Sequence, residues 1–159
     1  MPEERRHQRG LLDTSVVIDL EKLDPAQLPA EVAVSALTMA ELAAGPHATT
    51  DPEERGRRQD RLQRAEAAFD PLPFDTDAAR SYGRIFSAVM SSGRKARGAR
   101  AVDLLIAATA LAAGLPLYTR NGDDFLALED LVEVVDAAYR SARRDGVPVD
   151  LPPGAGTGL

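Results

Sequence analysis

A chain of 159 residues, 44% hydrophobic and 28% charged, has the composition of an ordinary globular protein and is long enough for one domain with a real core. The absence of cysteine excludes a disulfide framework and a thiolate metal site, and it fits a reducing cytoplasm. A net charge of −6 argues against bulk electrostatic binding to nucleic acid, though not against local basic patches.

Residues 1–10 are polar and carry no apolar stretch of the signal-peptide kind. The uncharged run over 104–118 is interrupted by Gly114 and Pro116 and falls short of the ~20 apolar residues that a spanning helix needs. No membrane segment is expected. Leu11 and Leu12 suit a short buried strand. Thr14 and Ser15 then offer hydroxyls as N-caps to a helix whose Val16, Val17, Leu20 and Leu23 recur at helical spacing. Asp13 thus falls at the carboxyl end of a strand, where open α/β sheets keep their ligand crevice. Alone, it reads more readily as a cap or turn acid.

Residues 31–36 alternate well enough for a second strand. Thr38-Met39-Ala40-Glu41 has the spacing of a capping box, on a short helix closed by Gly45-Pro46. Asp51-Pro52-Glu53-Glu54 starts an arginine-rich surface helix that runs to about residue 68. After the extended Pro71-Leu72-Pro73-Phe74, Asp75 or Thr76 caps a helix with Ala79, Tyr82, Ile85, Phe86 and Val89 on its expected core face. Residues 91–100 form a Gly-, Ser- and Arg-rich loop. Residues 102–111 follow as a helix buried nearly all round, with Asp103 in its first turn and Gly114 as its stop. Residues 115–119 and 132–135 read as two further strands, separated by a turn over Arg120-Asn121-Gly122-Asp123-Asp124-Phe125. The expected organisation is a polar extension over 1–8, one domain over 9–139, and a flexible Pro/Gly-rich tail over 140–159. Strands alternating with helices predict an α/β fold with a largely parallel sheet covered on both faces.

If the strands are parallel, Asp13, Glu41, Asp103 and Asp124 gather at one edge of that sheet. Two carboxylates ~4 Å apart repel by about 4 kcal/mol at an effective dielectric of about 20, so such a cluster holds protons or divalent cations. Hard oxygen ligands favour Mg²⁺ or Mn²⁺. His7 and His47 are too isolated in sequence to suggest zinc. With no clear nucleophilic triad, metal-activated water is the chemistry expected.

In chain order, Leu11-Leu12-Asp13-Thr14-Ser15, Met39-Ala40-Glu41-Leu42, Asp103-Leu104-Leu105-Ile106-Ala107-Ala108-Thr109-Ala110 and Thr119-Arg120-Asn121-Gly122-Asp123-Asp124-Phe125 resemble the motifs of PIN-domain ribonucleases. The similarity is greatest to the VapC toxins of bacterial toxin–antitoxin pairs, and it covers about residues 9–136. It implies a PIN-like α/β/α sandwich with a short, mainly parallel twisted sheet. It also implies a cytoplasmic, Mg²⁺- or Mn²⁺-dependent endoribonuclease. Asp13, Glu41, Asp103 and Asp124 would then be the catalytic, metal-binding acids. Thr14, Thr119 and Asn121 would orient acids or metal waters, with an ordinary N-cap as the rival role for Asn121. Arg94, Lys95, Arg97, Arg100 and Arg120 are candidate guides for RNA. The resemblance further implies a homodimer and a VapB-like antitoxin. Its groove would be lined by Val17, Leu20, Leu23 and the 38–44 helix, residues that read equally as core.

Two other readings remain open. One is a binding module on the same fold without chemistry. The other is a haloacid-dehalogenase-type phosphatase or a receiver domain. The phosphatase pattern requires an Asp two residues after the nucleophile, where this chain has Ser15, and both patterns require a downstream Lys.

Overall fold

Alternation along short apolar runs builds the sheet. Leu11 and Leu12 of β1 (Arg9–Leu12), Ala33 and Val34 of β2 (Glu31–Val34), and Leu117 and Tyr118 of β3 (Leu117–Thr119) send successive side chains into two different buried clusters. Successive residues of a strand point to opposite faces, so these pairs are the two sides of one sheet. With β4 (Val134–Asp136) the order is β2-β1-β3-β4, and every pairing is parallel. The computed structural model describes residues 7–93 and 99–137, and for residues 99 and 100 the backbone alone.

Helices cover both faces, giving the expected α/β/α sandwich. On one face α4 (Thr76–Ser91) and α5 (Ala99–Ala113) bring Ile85, Val89, Leu104 and Ile106 against Leu11 and Leu117. On the other, α1 (Thr14–Ile18), α2 (Ala36–Ala44) and α3 (Pro52–Ala68) bring Val16, Val17, Leu42 and Ala65 against Leu12 and Tyr118. Truncating a fully buried side chain such as Ile85 to Ala removes about 2–5 kcal/mol of stability. The 71–74 connector runs beside β2, where Leu72 exchanges backbone bonds with Val34 and Ala36 at 2.9 and 2.8 Å and covers that sheet edge.

Several boundaries differ from expectation, each for a local reason. The cap of α1 is Asp13, not Thr14 or Ser15, because its carboxylate reaches the Thr14 amide at 2.9 Å. Ser35 caps α2, so Thr38 lies inside the helix and the capping-box reading of Thr38 and Glu41 fails. The fifth helix starts at Ala99, which takes Ala99 and Arg100 out of the expected loop and Asp103 out of the first turn, removing its dipole explanation. Its stop is a Schellman motif: Gly114 has φ +65°, and the Gly114 and Leu115 amides bond to Leu111 and Ala110 at 3.2 and 3.0 Å. That turn and Pro116 occupy the start of the expected third strand. On α4 the buried stripe is Ala78, Ile85 and Val89, so Phe86 is 41% exposed instead of core. The backbone carbonyls of His7 and Gln8 already bond to Ala30 and Glu31, ahead of the expected domain start at residue 9. Residues 138–159, which include the expected tail, lie outside the described residues, as do residues 1–6.

Candidate active site

The strand order makes a switch point. From β1 the chain moves to β2 on one side, and β3 lies on the other, so the carboxyl ends of β1 and β3 diverge around a crevice. Asp13 follows β1 and Thr119 ends β3 at that place, and the Asp13 amide bonds to the Tyr118 carbonyl at 2.8 Å. Asp13 is 3% exposed, and such a buried carboxylate requires partners. It has three. Oδ1 accepts the Thr14 amide, and Oδ2 accepts the hydroxyls of Ser15 and Thr119, each at 2.9 Å.

The hydroxyls are themselves held. The Arg120 amide donates to Ser15 Oγ and the Asn121 amide to Thr119 Oγ1, both at 3.1 Å. With those acceptor positions filled, each hydroxyl proton points at Asp13. The loop after β3 is thereby fastened to the acid after β1, and one acceptor position remains on the carboxylate out of about four.

Glu41, exposed on α2, is tied to the same place by Thr14, whose Oγ1 donates to Glu41 Oε1 at 2.6 Å. Thr14 has one hydroxyl proton, so its 3.0 Å contact with Thr38 Oγ1 has Thr38 as donor, and Ser35 Oγ donates to Thr38 in turn at 3.3 Å. Three hydroxyls therefore point in sequence toward one carboxylate, an arrangement in which each bond polarises the next. A cavity of about 360 Å³ opens beside Thr14 and Glu41, with Arg58 and Arg61 on its wall.

Asp124 and Asp123 are exposed on the 3₁₀ turn Gly122–Leu128 and line a second cavity of about 350 Å³ with Arg120 and Asp136. Asp136 fixes that turn by accepting the Gly122 amide at 2.9 Å. Asp103 is half-buried on α5, which packs against α2. Among the described residues no three His, Asp or Glu side chains stand close enough to hold an ion by themselves. The geometry thus joins Asp13 and Glu41 through Thr14 and gives Asp124 a cavity wall of its own.

Of the other expected site residues, Thr14 and Thr119 touch the acids directly. Asn121 contributes its backbone amide, and its side chain makes no capping bond. Arg120 donates to the Ala137 carbonyl and so anchors the chain after β4. Arg94, Lys95 and Arg97 lie outside the described residues, as does the side chain of Arg100. Ser15, Thr38 and Asp136 were not expected. The D-T-S spacing carried the signal for Ser15, since a side chain two residues on can return to the acid. Leu23 is core, while Val17, though buried, lines the groove together with Leu20 and the exposed Ile18.

Comparison with known proteins identifies the family and the fold. A model of the PIN domain family matches residues 10–131. Ribonuclease VapC5 of Mycobacterium tuberculosis is 40% identical over 128 residues, 79% of this chain and 91% of that protein. VapC ribonuclease Y4jK of Sinorhizobium fredii is 36% identical over 127 residues, 72% of this chain and 89% of that protein. Among solved structures, a chain of VapBC-5, a toxin–antitoxin system of M. tuberculosis, superposes with a TM-score of 0.70. It shares 39% identity and covers 81% of this chain and 97% of that one.

Proposed function

The chain belongs to the PIN domain family, and on that premise we propose that it is a VapC-type toxin, an endoribonuclease that hydrolyses RNA phosphodiester bonds in the cytoplasm and is silenced by a VapB-like antitoxin. One observation carries the reading. Asp13 is buried at the switch point with three donors converging on it, and Thr14 joins it to Glu41.

The donor set fits Mg²⁺ or Mn²⁺. These ions keep several waters and take one or two carboxylates directly, so they do not require three protein acids in a closed cage. Asp13 and Glu41 would hold the ion, and Asp103 and Asp124 complete the proposed acidic set. When bound, the ion supplies a water of lowered pKa and neutralises charge on the phosphate. The chain's own part is orientation. Ser15 and Thr119 fix one oxygen of Asp13, the α1 amide fixes the other, and Thr14 fixes Glu41, so little reorganisation accompanies reaction. The haloacid-dehalogenase pattern needs a second Asp two residues after Asp13, and the side chain there is Ser15, which donates to Asp13 instead.

For the antitoxin, support comes from a groove of about 610 Å³ between α1 and α3, lined by Val17, Leu20 and Phe69, with Ile18 44% exposed on its rim. For a homodimer, it comes from Phe86 and Met90, one turn apart and exposed on α4. Sedimentation of the purified chain tests the dimer, and a strict monomer contradicts it.

A catalytically silent RNA-binding module is the second reading, favoured by the absence of a three-acid cage among the described residues. Antitoxin-free protein incubated with cellular RNA in Mg²⁺ or in chelator separates the two. Cleavage in Mg²⁺ alone supports the nuclease. Binding without cleavage in Mg²⁺ or Mn²⁺ supports the silent module.

A further inference from the structure

Five arginines lie on α3, and they are not equivalent. Arg55 bonds to the carbonyls of Pro46 and Thr49 at 3.2 and 3.1 Å and thereby holds the preceding turn. Arg57 and Arg58 share Glu54, with nearest ion-pair distances of 2.7 and 2.9 Å, and their hydrogen bonds hold its carboxyl below the usual range. Arg58 also reaches the Gly45 carbonyl at 2.9 Å. Arg64 faces Glu21 at 3.8 Å. Arg61 is half-buried, yet it makes no hydrogen bond or ion pair among the described residues. The helix explains why. Glu54 pairs with the residues three and four positions on, and Arg61 lies seven on, a full turn further.

With no carboxylate within ion-pair distance among the described residues, Arg61 can take an incoming anion without first breaking a pair. Its position indicates what the anion is. Arg61 lines both the groove between α1 and α3 and the cavity that holds Thr14 and Glu41, so it stands where the two meet. The groove carries four bases against three acids on a chain whose net charge is −6. Arg57, Arg61 and Arg64 follow one another along its α3 wall. Arg57 and Arg61 are separated by about 6 Å of helix axis at 1.5 Å rise per residue, a spacing close to that of successive phosphates in an extended strand.

We propose that Arg61 is a positioning residue for RNA, binding a backbone phosphate next to the one cut at the proposed ion site, and setting the strand along α3. The inference rests on the ribonuclease reading and deepens it, placing the RNA track on α3. A guanidinium fork suits this role because it binds two phosphate oxygens at once.

The test measures binding of a labelled single-stranded RNA to the full chain carrying Asp103→Asn, in Mg²⁺ and across a range of salt. Adding Arg61→Gln should weaken binding and make the slope of log K against log salt shallower by about 0.7, one phosphate's share for a single strand. The affinity gap should then narrow by about threefold between 50 and 200 mM salt. Arg61→Lys should restore the slope. Glu54→Gln, which frees Arg57 and Arg58, should tighten binding and steepen it. In the chain with Asp103 intact, Arg61→Gln should raise KM with kcat retained. An unchanged slope in a folded Arg61→Gln variant overturns the proposal. So does weakened antitoxin capture with RNA binding unaltered, which would assign Arg61 to the protein partner. A wild-type chain that neither binds nor cuts RNA refutes the ribonuclease reading itself, an outcome distinct from the other two.

Discussion

Thr119→Val separates what the site needs from what the core needs. Thr119 is fully buried, donates to Asp13 Oδ2 at 2.9 Å and accepts the Asn121 amide at 3.1 Å. Valine keeps its shape and removes both bonds. A hydrogen bond to a charged group contributes about 1.5–3 kcal/mol. Asn121 is exposed, so its amide can turn to water, and the net loss should be about 2 kcal/mol. At roughly 2–4 °C per kcal/mol for a chain of this length, the melting temperature should fall by about 4–8 °C. Asp13 keeps Ser15 but loses half of what holds Oδ2, and loss of a group that orients a metal ligand lowers activity by about 10–100-fold. Thr119→Ser is the control. It keeps the hydroxyl and removes a methyl group, so it should lose about 1 kcal/mol of stability and little activity. Thermal melts and single-turnover cleavage, measured well below every melting point, read the two effects separately. A folded Thr119→Val protein that cleaves at the wild-type rate would refute the claim that this hydroxyl orients Asp13.

Thr14→Val should cut cleavage by about 10–100-fold and raise the Mg²⁺ concentration needed for half-maximal rate, because Glu41 loses its 2.6 Å donor; an unmoved Mg²⁺ midpoint would count against Thr14 as the link. Gly10→Ala should destabilise by about 1–3 kcal/mol in denaturant melts, since its Cβ would lie 2.5 Å from the buried Tyr118 ring; an unshifted midpoint would contradict that packing. Arg57 and Arg58 lower the Glu54 pKa from its ordinary 4.5. Their contribution to stability is therefore complete above that value and lost as pH falls through the lowered one. In a carboxyl NMR titration Arg57→Gln should raise the Glu54 midpoint, and an unmoved midpoint would exclude that pair as the cause.

The fold was legible where periodicity decides it. Leu11-Leu12 and Leu117-Tyr118 each divide between two faces, and α4 and α5 follow from their apolar stripes. Boundaries were less legible, because Asp13, Thr14 and Ser15 are all competent caps and only the path of the chain selects Asp13. Phe86 was misplaced because a spacing of one and of four from core positions both look helical, while α4 buries a narrower stripe through Ile85 and Val89.

The site divides the same way. Asp13 and Glu41 stand out in sequence as isolated carboxylates close to apolar runs. Their joining is not visible there, since Thr14, Thr38 and Glu41 belong to two helices, and the T-x-x-E spacing fits a capping box that the structure does not form. The 106-residue separation of Thr119 and Asp13 likewise becomes a 2.9 Å contact only through the pairing of β1 with β3. Arg61 was legible as a surface arginine. What distinguishes it is the pairing of its neighbours with Glu54, a three-dimensional fact.

The central claim is that Asp13 organises a metal-dependent cut in RNA. Asparagine at this position can keep the cap to the Thr14 amide or accept the Ser15 and Thr119 hydroxyls, but not both, because only one of its two terminal atoms is an acceptor. The variant should fold with a modest loss of stability and have no charge to offer an ion. The decisive measurement is the mapping of RNA ends after cellular RNA is incubated with antitoxin-free wild type or Asp13→Asn, each shown to be folded by its melting curve. New ends at discrete sites are expected with wild type in Mg²⁺, none with chelator, and none with Asp13→Asn. The same ends produced by folded Asp13→Asn would contradict the claim.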